Sequence, residues 1–143
     1  MGITRSNHCA YDTHYHLVFP VKYRKALLTP SVASAIREIA GEIEERYDIE
    51  FEQLGTDGDH IHLLCSFHPK YSGGDVVRIF KSITAKQLFL RFPELKKQLW
   101  GGQFWTEGYY MSTVSQRGDW KTVERYVRNQ GKAGNHPTQL TIL

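Results

Sequence analysis

Apolar residues fall along this chain in two rhythms, a period of two that signals strands and a period near 3.6 that signals helices. After a loosely held lead-in of ten residues, Tyr11 to Phe19 is rich in aromatic and β-favouring residues and ends at Pro20, predicting a first strand. Leu17, Val18 and Phe19 follow one another without a polar break, as in a strand buried on both faces. Thr29-Pro30 then opens a helix, with threonine as N-cap and proline at the first helical position. Val32, Ile36, Ile39, Ile43 and Tyr47 repeat at helical spacing and form its core-facing stripe. Ile49 to Asp57 predicts a second strand. Thr56-Asp57-Gly58-Asp59 supplies turn chemistry before a third, which begins at His60.

Tyr71-Ser72-Gly73-Gly74 is a loop. Asp75 is positioned to cap a second helix from about Val76 to Phe92, stopped by Pro93, with Val76, Ile79, Phe80, Ile83 and Leu90 on its apolar side. Glu94 to Gly102 predicts a short helical piece and a glycine break, and Gln103 to Thr113 a further strand. Ser115-Gln116-Arg117-Gly118 is a flexible link, after which Asp119 caps a last helix from Trp120 to about Gln130. Trp120, Val123 and Val127 are its apolar stripe.

The predicted order β-α-β-β-α-β specifies an α+β fold, the ferredoxin-like split βαβ arrangement of an antiparallel sheet with two helices on one face. A C-terminal helix is added to it. Residues 1–143 are expected to form a single domain, about 11–113 as its core and about 119–131 as the extra helix, which packs on its own domain or reaches a neighbour. With 143 residues and 41% hydrophobic content the chain can bury a substantial core. No apolar run approaches the ~20 residues needed to span a bilayer, and no apolar block of a signal peptide opens the chain, so a cytoplasmic protein is expected. Cys9 and Cys65 form no CxxC pair and read as reduced thiols.

Charge changes this picture more than composition does. Nine of the fifteen acids fall between Glu38 and Asp59, together with one base, Arg46. The rest of the chain carries 17 Lys or Arg (18 − 1) against 6 acids (15 − 9), a balance of +11. An acidic segment on a basic remainder favours a surface that meets a polyanion, although solvated charge gives the same count. Two runs stand out as nucleic-acid contacts: Lys22-Tyr23-Arg24-Lys25, and Arg78, Lys81, Lys86 and Arg91 on the second helix, which has no acid between Asp75 and Glu94.

The candidate chemistry centres on Asp59-His60-Ile61-His62-Leu63-Leu64. In a strand, His60 and His62 project from one face while Ile61 and Leu63 are buried on the other. Two imidazoles side by side suit a divalent metal with open positions for a substrate oxygen; a strand that merely carries two histidines has the same pattern. His14-Tyr15-His16 is a second H-x-H, read as structural or as supporting the ligands rather than binding the metal, because its middle residue is aromatic and the run after it lacks alternation, as in a doubly buried strand. In the last helix Tyr126 and Gln130 lie one turn apart on one side. A phenol can act as a nucleophile when a metal or base assists, and a glutamine carbonyl can be a third hard ligand. Taken singly, each is equally an ordinary residue at the rim of a helix.

Taken together, His60-Ile61-His62 and Tyr126-Val127-Arg128-Asn129-Gln130 make the chain similar to the single-tyrosine HUH transposases, the TnpA type of minimal bacterial and archaeal insertion sequences. Phe19-Pro20-Val21-Lys22-Tyr23-Arg24 and Phe104-Trp105-Thr106-Glu107-Gly108-Tyr109 carry the same resemblance, which spans nearly the whole chain. It implies a metal-dependent enzyme in which Tyr126 cleaves single-stranded DNA through a 5′-phosphotyrosine and the strand is then rejoined. It further implies Mg²⁺ or Mn²⁺ on His60, His62 and Gln130, no small-molecule cofactor, hairpin-ended single-stranded DNA as partner, and a homodimer in which the tyrosine helix can serve the partner's histidines. Other classes stay open: a non-catalytic RNA- or DNA-binding module of the same fold, a replication initiator or relaxase, and a domesticated nuclease acting on chromosomal hairpins.

Overall fold

Leu17 and Phe19 on one strand and Ile61, Leu63, Cys65 and Phe67 on its neighbour alternate toward the same side, and all are buried in one apolar cluster. The computed structural model describes residues 4–5 and 10–114. It places these positions on the two central strands of a four-stranded antiparallel sheet. The short strands β1 (Thr4–Arg5) and β2 (Ala10–Tyr11) pair with each other, and β3 (His14–Pro20) enters the main sheet. Then follow α1 (Pro30–Arg46), β4 (Ile49–Thr56), β5 (His60–Phe67), α2 (Gly73–Arg91), the short α3 (Leu95–Gln98) and β6 (Tyr110–Val114). The strand order β4-β5-β3-β6 with every neighbouring pair antiparallel is the split βαβ sheet expected from the sequence.

Both long helices cover the face that carries Leu17, Phe19, Ile61 and Leu63. Val32, Ile36, Ile39 and Ile43 of α1 and Val76, Phe80 and Leu88 of α2 join that cluster. Thr29 caps α1 as expected, its hydroxyl accepting from the Val32 amide at 3.3 Å.

Several details differ from the sequence reading, beginning with the first strand of the main sheet, which starts at His14 rather than Tyr11. The N-cap of α2 is Ser72 rather than Asp75. Ser72 Oγ accepts from the Asp75 amide at 3.0 Å, and Asp75 Oδ2 accepts from the Ser72 amide at 2.9 Å, so the helix starts at Gly73. Leu90, expected on the apolar side, is 66% exposed, while Val77, Thr84 and Leu88 face inward instead. Buried Thr84 is satisfied by donating to the Phe80 carbonyl (2.6 Å) and accepting from the Trp105 indole (2.9 Å). The last strand begins at Tyr110 rather than Gln103, because the preceding carbonyls are used elsewhere: those of Thr106, Glu107 and Gly108 accept from the Lys81 ammonium at 2.7, 3.2 and 2.9 Å.

Among the described residues no helix is long and apolar enough to cross a membrane. The expected helix from Trp120 to Gln130, with the link at Gly118, lies outside the described residues.

Candidate functional site

Because side chains alternate along β5, burying Ile61 and Leu63 under the helices sends His60 and His62 to the opposite face of the sheet. His60 stands opposite Pro20 of β3, and His62 lies between Val18 of β3 and Gly55 of β4. The pair sits at the N-terminal end of a central strand, immediately after the turn Asp57-Gly58-Asp59. Gly58 takes a φ of 68° in that turn, the left-handed region that glycine enters without steric cost. The Asp57 amide donates to the His60 carbonyl at 3.0 Å and closes the turn onto the strand.

Two carboxylates of this turn address His60, which is fully buried. Asp59 Oδ1 lies 2.8 Å from Nδ1 of the ring, and Asp57 Oδ2 lies 3.9 Å from Nε2. A carboxylate only accepts, so the contact with Asp59 places a ring proton on Nδ1. This is the outer-shell arrangement that orients a metal-ligating histidine and raises its basicity. Asp59 is held in turn by Arg24, whose Nε and Nη2 both donate to Oδ2 at 3.2 Å. Arg24 reaches it from a turn in which Tyr23 and Arg24 both adopt positive φ, 61° and 53°. That conformation costs a non-glycine residue about 1 kcal/mol or more, so the turn is held by its surroundings.

His62 is placed from the other side by a missing side chain. A Cβ on Gly55 would collide with the His62 ring, coming within 2.7 Å of Cε1 and 2.8 Å of Cδ2. Glycine at this position of β4 lets the imidazole lie across the neighbouring strand.

The second H-x-H lies on the same face of the sheet. His14 is clamped between Glu52 (Nδ1 to Oε1, 2.5 Å) and Asp12 (Nε2 to Oδ1, 2.8 Å). Glu52 sits at the irregularity between Phe51 and Gln53, where β4 slips register against β5. Burial alone would lower the His14 pKa, but the hydrogen bonds and charges of Glu52 and Asp12 outweigh it and hold the ring above the usual histidine value. His16 is fully buried. Both nitrogens of His14 are thus engaged by acids.

The basic residues singled out from the sequence have diverse surroundings. Lys22 has its ammonium 5.5 Å from the Tyr23 ring centre, Arg24 is engaged by Asp59, and Lys25 is exposed. Arg78 is exposed and pairs with Asp75 at 3.1 Å, and Lys86 is exposed. Lys81 is half-buried against the rings of Phe19 and Tyr109, and burial pushes its pKa down to about 8. Its ammonium ties α2 to the segment before β6.

Sequence reasoning missed Asp57, Asp59 and Gly55 as parts of the site, taking the two acids for turn residues alone. A carboxylate directly before H-x-H was the available signal for Asp59. Gly55 had none, since its role depends on strand register. Among the described residues no group of three or more His, Cys, Asp or Glu side chains is arranged to hold a metal ion. Tyr126 and the expected third ligand Gln130 lie outside the described residues.

A family model described as "Transposase IS200 like" matches residues 9–130. The chain is 33% identical over 120 residues to the ISDra2 transposase TnpA of Deinococcus radiodurans, covering 84% of this chain and 85% of that one. It is 27% identical over 135 residues to the transposase for insertion sequence element IS200 of Salmonella typhimurium, covering 94% and 88%. Among solved structures, a crystal structure described as a transposase from Deinococcus radiodurans R1 superposes with a TM-score of 0.74 at 31% identity, covering 91% of this chain and 99% of that one. A REP-associated tyrosine transposase bound to a REP hairpin has the same fold, with a TM-score of 0.56 at 13% identity, covering 100% and 76%.

Proposed function

Because this chain belongs to the IS200-like transposase family, we propose that it cuts and rejoins single-stranded DNA at the ends of an insertion sequence. The observation that carries this reading is the His60–His62 pair, set on one sheet face with Asp59 orienting the first ring and Gly55 seating the second.

In this reading the Tyr126 phenolate attacks the scissile phosphorus. A P–O bond to tyrosine forms as the P–O bond to the departing 3′-oxygen breaks, leaving a 5′-phosphotyrosine and a free 3′-hydroxyl. Attack by a second 3′-hydroxyl reverses the exchange, releases the tyrosine and seals a new junction. One phosphodiester replaces another at each step, so no nucleotide hydrolysis is required.

The donor set fits a divalent cation: imidazole nitrogen from His60, with its proton fixed on the far nitrogen by Asp59, imidazole nitrogen from His62, and a carbonyl oxygen from Gln130. Mg²⁺ or Mn²⁺ held there would polarise a phosphate oxygen and orient it. Arg24 and Asp59 preserve the His60 tautomer, and the basic surface supplied by Lys22, Lys25, Arg78 and Lys86 attracts the DNA backbone. A homodimer whose tyrosine helix completes the partner's histidine pair belongs to the same reading.

The test is incubation of 5′- and 3′-labelled single-stranded element ends with the protein and Mn²⁺ or Mg²⁺. Metal-dependent cleavage that leaves the 5′ end protein-linked is expected. Binding without cleavage at any metal concentration would favour a non-catalytic nucleic-acid module instead.

A further inference from the structure

Trp100 is 83% exposed, whereas Trp105 five residues on is buried to 4%. Its turn is fixed from within. Leu95 and Leu99 are buried beside it, Gly101 and Gly102 take φ of 83° and 71°, and the Gly102 amide donates to the Leu99 carbonyl at 3.2 Å. Tyr23, itself 54% exposed, donates its hydroxyl to the Trp100 carbonyl at 3.2 Å, so two exposed aromatic rings stand on adjoining turns. An indole and a phenol ring exposed on adjoining turns offer flat apolar faces with polar tips, the combination that suits Trp and Tyr to contact surfaces.

The surroundings say which partner fits. Neither segment, 20–28 nor 95–105, contains an acid, and they carry Lys22, Arg24, Lys25, Lys96 and Lys97. Arg24 is engaged by Asp59, while Lys25, Lys96 and Lys97 are exposed. Aromatic faces interleaved with cations suit unpaired bases with their phosphates, since every base offers a π-face and the cations follow the backbone. The platform also adjoins the candidate site through covalent and hydrogen-bonded links: Tyr23 precedes Arg24, Arg24 holds Asp59, and Asp59 holds His60.

We propose that Trp100 and Tyr23 form a stacking platform for unpaired bases of the DNA strand that leads away from the His60–His62 pair. This rests on the reading of the chain as acting on single-stranded DNA, and it assigns the surface on which the strand lies.

The probe is fluorescein-labelled oligothymidylate, which has no hairpin, with binding followed by anisotropy over a series of salt concentrations. Trp100→Leu keeps an apolar side chain but removes the π-face, and it should weaken binding about tenfold with an unchanged salt slope. Trp100→Phe should restore most of the affinity, and Lys25→Ala should flatten the slope instead. A Trp100→Leu affinity within about twofold of wild type overturns the platform, because one stacked base is worth more than that. So does a Trp100→Leu chain whose sedimentation changes while its oligothymidylate affinity does not, since the indole would then serve an interface between proteins. If the wild type neither binds oligothymidylate nor cleaves labelled element ends, the strand-transfer reading falls as well. If it binds and cleaves while Trp100→Leu is unaffected, only the platform falls.

Discussion

Asp59 and His60 are neighbours in sequence and partners in space, with Oδ1 of the first 2.8 Å from Nδ1 of the second. Adjacent residues within a strand point to opposite faces, so this contact is possible only because Asp59 is the last residue of a turn and His60 the first of β5. The geometry gives the carboxylate one task, to hold a ring proton on Nδ1.

Asp59→Asn preserves size but offers a neutral amide in place of the carboxylate. Metal affinity should fall about 10- to 100-fold, as for other outer-shell partners of ligating histidines, with the fold retained. Calorimetric titration with Mn²⁺ reads this without requiring activity, and an unchanged affinity would show that Asp59 does not orient His60.

Gly55→Ala should act on His62 alone. The added methyl competes with the ring for the same space, so overpacking is expected to cost about 1–3 kcal/mol in urea unfolding, with loss of Mn²⁺ binding if the ring turns away. Normal Mn²⁺ affinity in a chain that folds normally would mean that His62 is not a ligand in the orientation described.

Much of this was legible in the sequence, and the parts that were not share a cause. The strand carrying His60 and His62 and the Thr29 cap could be read because alternation, turn residues and caps are local signals. The doubly buried run from Leu17 to Phe19 was legible for the same reason. The role of Gly55 could not be read, because it follows from pairing with His62 across two strands and from a slip at Glu52. The late start of β6 was hidden likewise: it depends on an ammonium 25 residues earlier capturing the Thr106 carbonyl. Ser72 took the cap from Asp75 because the two form a reciprocal pair, in which serine outside and acid at the third helical position satisfy each other.

The Asp12–His14–Glu52 clamp predicts a pH dependence of stability. The folded pKa of His14 is raised above 6.5, so the clamp's contribution is fully present below about pH 6.5 and is lost as pH rises through the folded value. The melting temperature of the wild type should therefore fall more between about pH 6 and about pH 9 than that of His14→Gln. Equal slopes in the two proteins would show that the ring is not held protonated. His14→Gln should also keep Mn²⁺ binding, whereas His60→Ala should lose it.

Assembly can be tested by complementation. If the tyrosine helix serves the partner's histidines, a His60→Ala/His62→Ala chain mixed with a Tyr126→Phe chain should recover cleavage, because the mixed dimer contains one intact pair facing one intact tyrosine. With subunit exchange verified by labelled chains, a dead mixture would place the helix on its own domain.

Covalent attachment of Tyr126 to a DNA strand beside the His60–His62 pair is the step on which the proposed strand exchange depends. It is tested most directly by the mass of the protein after reaction with a 3′-labelled single-stranded element end and Mn²⁺, under denaturing conditions. A metal-dependent adduct on Tyr126 is expected, absent in Tyr126→Phe although that variant still binds the DNA. An adduct of undiminished yield in Tyr126→Phe, or cleavage with no adduct at all, would contradict it.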